Sequence, residues 1–435
     1  VRFSTSEIAS LTGGHQDGPE QVVSGASIDT RTIVPGQLFV PLRGRSDGHD
    51  WIPAALEAGA PAYLTEREPA GGTAVRVERT DRALTELGAA ARLKARPDTV
   101  VVGITGSVGK TTTKDMIRAV LATTFATHAS PRSYNNEIGV PLTLLTAPEE
   151  TQALVLELGA RAAGDIAALC AVVRPEIGVV TRVAAVHTEG LGDVEGVARA
   201  KRELVEALPP TGTAVLNADD PRVAAMADAT QAHVVRFGRS GDVRTTLLDL
   251  DDDLRPYVQI RTPSDTFEAR LSARGEHQVA NAAAAAAVGY VCGVPASEIA
   301  RGLERAELSG LRMAVTAGRR GVRVIDDSYN ANPASVEAAL RSLARLPAGR
   351  RVAVLGRMAE LGTLEHDEHR RMAELASELG VELLAVDAPE YGVETVSADE
   401  VVTRLADLGE DDVVLVKGSR VTELDRIAGA LRGDG

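Results

Sequence analysis

Lysine is scarce in this chain. Of its 47 basic residues only five are lysines: Lys94, Lys110, Lys114, Lys201 and Lys417. Arginine, used everywhere else, is a flat fork that stays charged; lysine is a compact charge with a reactive amine. A lysine here is therefore a candidate for a site where arginine will not do, while Lys94 and Lys114 read as incidental. Cysteine is scarcer still. Cys170 and Cys292 are the only two and lie far apart, which excludes a disulfide framework and fits a reducing, cytoplasmic setting. Net positive charge is missing too. The formal charge is −14, so nucleic-acid binding through a basic face is not expected. No apolar run is long enough to cross a bilayer, the alanines at 282–287 being too few and too weakly hydrophobic, so no membrane insertion is expected. The opening VRFSTSEIASLTGG lacks the basic-then-apolar build of a signal peptide. What remains is 435 residues, 44% apolar and 25% charged, which predicts a soluble globular protein of two or three domains.

The pattern divides into three α/β stretches. In 1–97, LFVPL (38–42) and AYLTE (62–66) read as strands with a helix at 50–60 between them, and 81–95 reads as a connecting helix before a break at Arg96-Pro97-Asp98. In 98–309, TVVVGIT (99–105), ALVLELG (153–159), IGVVTRV (177–183) and TAVLNADD (213–220) alternate with helical segments, which predicts a parallel sheet covered on both faces. VVRFG, TTLLDL, YVQIR and TFEARL (233–271) read as hairpins at a sheet edge, followed by a packed helix at 277–293. In 310–435 a further series follows: VRVIDD (322–327), RVAVLG (351–356), ELLAVD (382–387) and DVVLVKG (412–418). No tandem repeat interrupts this order.

GITGSVGKTTTKDMI (103–117) is a glycine turn between a β-run and a helix. Backbone N–H groups and a helix N-terminus in such a turn bind phosphate. In that role Lys110 reaches the β/γ-phosphates of ATP and the Thr111 hydroxyl ligates Mg²⁺. The generic P-loop spacing would place its first glycine at 104, where this chain has Ile104; the glycines are Gly103, Gly106 and Gly109. Downstream, Glu157 ends a predicted strand, His187 follows another, and Lys201 lies in the helical ARAKRELVEAL. Singly, each has an ordinary reading as a salt-bridge partner, a structural histidine or a solvated charge. Strand ends on one edge of a parallel sheet converge on a common crevice, so together they suggest a metal-assisted phosphoryl site.

GITGSVGKTTTK, SYNNEIGVP (133–141), VLELGA (155–160), HTEGLG (187–192), ARAK (198–201) and HQVANAAAA (277–285) resemble the Mur ligases. SIDTRTIVPGQLFVPLRGRSDGHDWIPAALEAGA (27–60), DDSYNANPASVEAAL (326–340) and VLVKGSR (414–420) are similar to its D-alanyl-D-alanine-adding branch. The resemblance covers all three stretches. It implies an N-terminal UDP-substrate domain (1–97), a central P-loop ATPase domain (98–309) and a C-terminal Rossmann-like domain (310–435). It also implies an ATP- and Mg²⁺-dependent ligase in peptidoglycan precursor synthesis. UDP-linked muramoyl tripeptide and D-Ala-D-Ala would be joined through an acyl phosphate, by a protein expected to be a monomer.

Residue roles carry over on the same footing. Gly106, Ser107, Val108, Gly109, Lys110, Thr111 and Thr112 would hold the phosphates. Thr111 and Glu157 would hold one metal, and His187 with an N-carbamylated Lys201 a second. Asn281 and Asn330 would meet adenine, Asp326 or Asp327 the ribose, and Arg312 the γ-phosphate. Asp29, Thr30 and Arg31 would lie near UDP; Asn135 and Asn136 near the acyl substrate; Lys417, Ser419 and Arg420 on the substrate cleft. Three segments depart from the family pattern. Thr181-Arg182-Val183 stands for T-N-I, His187-Thr188-Glu189-Gly190-Leu191-Gly192 for H-L-E-x-F-G, and Gly356-Arg357-Met358 for G-D-M. Two readings stand beside the main one: a Mur-like ligase for another acid or amine, and an ATP-binding regulator without turnover.

Overall fold

Six short apolar segments form the parallel sheet at the centre of the molecule. Their spatial order is His233–Phe237, Thr213–Asn217, Ile177–Val180, Val100–Thr105, Ala153–Glu157 and Thr127–Ala129. Val101, Val102, Ile104, Val155, Val179 and Val215 are completely buried, as expected of strands covered on both faces. The strand order reverses at Val100–Thr105, with later strands added on either side of it, so this strand sits where the crevice of an open α/β sheet forms. Register does the rest. Glu157 pairs with Ile104 and Val180 with Thr105, so the phosphate loop, Glu157 and Thr181 leave the same sheet edge side by side. The protein is a computed structural model that describes residues 1–44, 46–186 and 188–433. His187 lies outside the described residues.

One expectation is corrected here. VVRFG is not an edge hairpin: His233–Phe237 pairs in parallel with Thr213–Asn217 as the sixth central strand. Its alternating pattern fits either arrangement, and burial of Val235 and Phe237 against the central helices decides it. Arg244–Leu250, Pro256–Arg261 and Thr266–Arg270 do form an antiparallel meander, but as a separate three-stranded sheet. Thr127–Ala129, three residues long, carries too little pattern to be read from sequence.

The helix Gln278–Val291 explains the alanine tract. Ala282 to Ala287 are all fully buried, and their small side chains let this helix lie close against the phosphate-loop helix Lys110–Leu121. The first unit has a five-stranded mixed sheet, and its helix Thr80–Lys94 docks on the central unit. Gly88 permits the approach, since a Cβ there would stand 2.6 Å from Pro141 Cβ. One apolar core consequently runs from Phe3 to Ala232, across position 97. The C-terminal unit has its own six-stranded sheet, parallel except for its first strand, Ala314–Ala317.

Candidate active site

Two glycines shape the phosphate loop. Gly106 has φ 145° and Gly109 φ 86°, backbone that side chains rarely adopt. Both are also crowded: a Cβ on Gly106 would stand 2.0 Å from Thr181 Oγ1, and one on Gly109 2.5 Å from Asn281 Oδ1. Gly103 serves packing instead, facing Leu158, Leu204 and Pro175. The loop is braced from the neighbouring strand end. Ser107 N–H donates to the Arg182 carbonyl (2.7 Å), Thr181 Oγ1 to the Val108 carbonyl (2.7 Å), and Ser107 Oγ to the Ala184 carbonyl (3.0 Å). Lys110 opens the helix and folds back onto the Gly106 carbonyl at 2.7 Å. Loss of water around this ammonium pushes its pKa down, an effect opposed by nearby Glu157.

Glu157 is 1% exposed and fully engaged. Its Oε2 accepts from Thr111 Oγ1 (2.7 Å), its Oε1 from Asn135 Nδ2 (2.8 Å), and its backbone N–H donates to Ser130 Oγ (3.2 Å). Arg312 Nη2, from the C-terminal unit, donates to Thr111 Oγ1 at 3.0 Å, and its guanidinium lies over the Tyr329 ring at 4.6 Å. Ser133 Oγ is 3.2 Å from the same hydroxyl. The hydroxyl and carboxylate of Thr111 and Glu157 thus already share one point, a donor pair that suits a small hard cation. Among the described residues, no group of three or more His, Cys, Asp or Glu could hold a metal by itself. Phosphate oxygens would have to complete the shell.

Lys201 lies on the helix Val194–Glu206 and is 1% exposed, yet it lines the same cleft. Among the described residues nothing accepts a hydrogen bond from its amine. Burial, with a smaller contribution from Lys110, pushes its pKa down to about 7. An uncharged amine at neutral pH is a nucleophile, which an ordinary surface lysine is not.

The cleft measures about 2070 Å³ and is lined by all three units. Asn135, Asn136, Asn281, Asp327, Asn330, Lys417, Ser419 and Arg420 all face it. Asn136 Oδ1 also accepts from the N–H of Gly139 (2.9 Å), the first residue of the helix Gly139–Thr146. Asn281 donates to Gln278 Oε1 (2.7 Å), and Lys417 binds Asp327 Oδ2 (2.6 Å) and the Asn330 carbonyl (2.9 Å). Asp326 does not face the cleft. It is buried, held by Ser328 Oγ (2.6 Å) and Arg432 Nη1 (2.9 Å), which leaves half-buried Asp327 as the member of the pair that lines the cleft. Asp29 and Arg31 pair with each other (2.6 Å), which holds the Asp29 carboxyl at about 2; of their segment only Ile28 reaches the cleft. The two arginine departures differ. Arg182 lines the cleft, whereas Arg357 turns to Glu365.

Three family models match: Mur ligase family, catalytic domain, at 22–124; Mur ligase middle domain at 104–289, overlapping the first; and Mur ligase, glutamate ligase domain, at 311–420. The UDP-N-acetylmuramoyl-tripeptide–D-alanyl-D-alanine ligase of Mycobacterium leprae is 38% identical over 100% of this chain and 99% of its own. The chain belongs to the Mur ligase family. The Escherichia coli ligase of the same name is 34% identical over 100% and 99%. Among solved Mur ligases, MurF of Acinetobacter baumannii superposes with a TM-score of 0.89 at 29% identity, covering 100% and 99% of the two chains. MurF of Thermotoga maritima in complex with ADP gives 0.82 at 27% identity, covering 95% and 98%.

Several residues at the Mur ligase cleft escape sequence reading. Ser130 and Ser133 reach Glu157 and Thr111 only through folding of a segment with no regular pattern. Lys114 is not incidental, as its 1% exposure shows, and lysine scarcity was the signal available for it. Lys94 likewise binds Glu7 (2.8 Å) and the Arg2 carbonyl (2.8 Å). The glycine geometry yields one direct test. Gly106→Ala should weaken ADP binding by about tenfold or more, since ~1.4 kcal/mol of misfit already accounts for that factor. Titration of ADP against the folded variant checks it.

Proposed function

We propose that this chain is the ATP-dependent ligase that joins D-alanyl-D-alanine to UDP-N-acetylmuramoyl-tripeptide, in the cytoplasm and as a monomer. The observation that carries the reading is the meeting of Lys110, Thr111, Glu157 and Arg312 at one phosphate loop, in a cleft that all three units line. The full-length similarity to ligases of that name supports the choice of substrates. The proposed division of labour is that 1–97 holds the UDP end, 98–309 holds ATP, and 310–435 closes over both.

The reaction would begin with transfer of the γ-phosphoryl group to the tripeptide's terminal carboxylate, releasing ADP. The D-Ala-D-Ala amine would then attack the acyl phosphate, and the tetrahedral intermediate would expel phosphate. Both first reactants are anions, so charge must be neutralised before they meet. Lys110 and Arg312 would do this from two sides, one from the central unit and one from the C-terminal unit. Thr111 and Glu157 fit one Mg²⁺. Bound there, Mg²⁺ would supply charge neutralisation at the phosphate oxygens. Lys201, with His187 of the family pattern, would serve a second ion after its neutral amine adds to CO₂ and loses a proton, becoming a carbamate. Asn135 would orient Glu157, and closure of the C-terminal unit would keep water from the acyl phosphate.

Mass spectrometry tests the reading. ATP, Mg²⁺, UDP-N-acetylmuramoyl-tripeptide and D-Ala-D-Ala should give the UDP-linked pentapeptide, ADP and phosphate, with no phosphate release when either co-substrate is omitted. Product formed only with another amine would point to a sister ligase. ATP binding without any product would point to a regulator.

A further inference from the structure

Lys114 stands one helical turn beyond Lys110 and is not among the residues that line the cleft. Its ammonium is 1% exposed and has three partners: the Ser130 carbonyl (2.7 Å), the Arg132 carbonyl (2.6 Å) and Asp115 Oδ1 (3.1 Å). The first two are hydrogen bonds, and the third, to the neighbouring carboxylate, is an ion pair. Two of the acceptors belong to the strap 130–133, and that strap touches the cation-binding pair twice. Ser130 Oγ accepts from Glu157 N–H (3.2 Å), and Ser133 Oγ lies 3.2 Å from Thr111 Oγ1. Between them Arg132 has φ 49°, left-handed backbone in a non-glycine residue. Such a conformation persists only where its surroundings impose it, and the ammonium bound to its carbonyl does so.

Asp115 extends the network. It is 4% exposed, and its second oxygen accepts from Ser309 N–H at 2.7 Å. Ser309 begins the segment that delivers Arg312 to the same Thr111 hydroxyl. Two adjacent helix residues therefore brace both segments that converge on Thr111. An arginine could not replace the lysine, because its planar fork does not direct three donors around one compact point.

We infer that Lys114 is a positioning residue that sets the strap 130–133 so that Thr111 and Glu157 stand ready to share a divalent cation. This rests on the ligase reading above for the identity of the nucleotide and the metal. Lys114 touches neither, and acts through Ser130 and Ser133.

The test is calorimetric titration of the full chain with ADP, with Mg²⁺ and with a chelator in its place. The quantity read is the factor by which Mg²⁺ tightens ADP. In Lys114→Arg this factor should fall by about fivefold or more, while metal-free affinity stays within about threefold, because the loop amides and Lys110 are untouched. A residue that merely stabilised the fold would lower both affinities alike or neither. Ser133→Ala, which cuts the strap from Thr111 and leaves the buried lysine in place, should show the same selective loss and decides the matter if Lys114→Arg does not fold. An unchanged Mg²⁺ factor in a folded variant, or equal losses with and without metal, overturns the inference. If the wild-type chain does not bind ADP at all, the ligase reading falls and takes this inference with it. Wild-type binding with an Mg²⁺ factor that the variants retain removes this inference alone.

Discussion

Lys110→Ala should fold normally and lose most of its turnover. Among the described residues the side chain makes one hydrogen bond, to the Gly106 carbonyl, so its removal leaves the loop bracing by Thr181 and Ser107 in place. A charged contact that strengthens as the phosphoryl group moves is commonly worth about 3 kcal/mol or more, beyond a hundredfold in rate. Arg312 cannot take over. Its guanidinium works from another unit, against Thr111 and the Tyr329 face, rather than from the loop itself. Phosphate release under saturating substrates, alongside a melting curve, checks both halves of the expectation. Near-wild-type turnover in a folded variant would remove Lys110 from the phosphate site.

Lys201 should behave in opposite ways in stability and activity. Its folded pKa of about 7 lies below the ordinary 10.5. Between those values the unfolded chain holds a proton that the folded chain lacks, so this group's contribution to stability rises with pH across that window. It is lost as pH falls through the folded value, where a charge must be buried. Lys201→Met should therefore melt higher than wild type at pH 7 in bicarbonate-free buffer, and the gap should narrow toward pH 10.5. The same variant should be inactive. Lys201→Ala should be inactive and partly rescued by acetate, which can supply the anionic oxygens of a carbamate. Lys201→Arg should be inactive without rescue, because it keeps a positive charge where a hard cation needs oxygen. Full activity in Lys201→Arg would make this residue an ordinary helix charge, for which the swap is nearly silent.

What could be read from sequence follows the range of the interactions involved. The β-branched run ending in Gly106 announces a strand and a loop because both signals are local. Glu157 and Lys201 stand out by position and by residue scarcity. Lys114 has scarcity alone to mark it, because its meaning depends on a strap with no periodicity that folding brings beneath it. The choice between Asp326 and Asp327 is equally illegible. It is made by Arg432, which reaches Asp326 from the last helix, Asp425–Arg432. Arg357 shows in sequence only as a departure from the family's G-D-M, and the structure pairs it with Glu365 at the head of the next helix. The sixth central strand shows the same limit, since alternation alone does not distinguish a hairpin from a parallel partner.

The scarcity of lysine has a practical side. Lys114, Lys201 and Lys417 are each 3% exposed or less, and Lys110 lies half-buried in the cleft. Among the lysines, only the Lys94 side chain, 38% exposed, stands on the outer surface. An amine-reactive dye too large to enter the cleft should therefore mark Lys94 ahead of the other four lysines. A lysine-specific protease should likewise leave the native chain almost uncut, so that each further cleavage reports a particular region coming open.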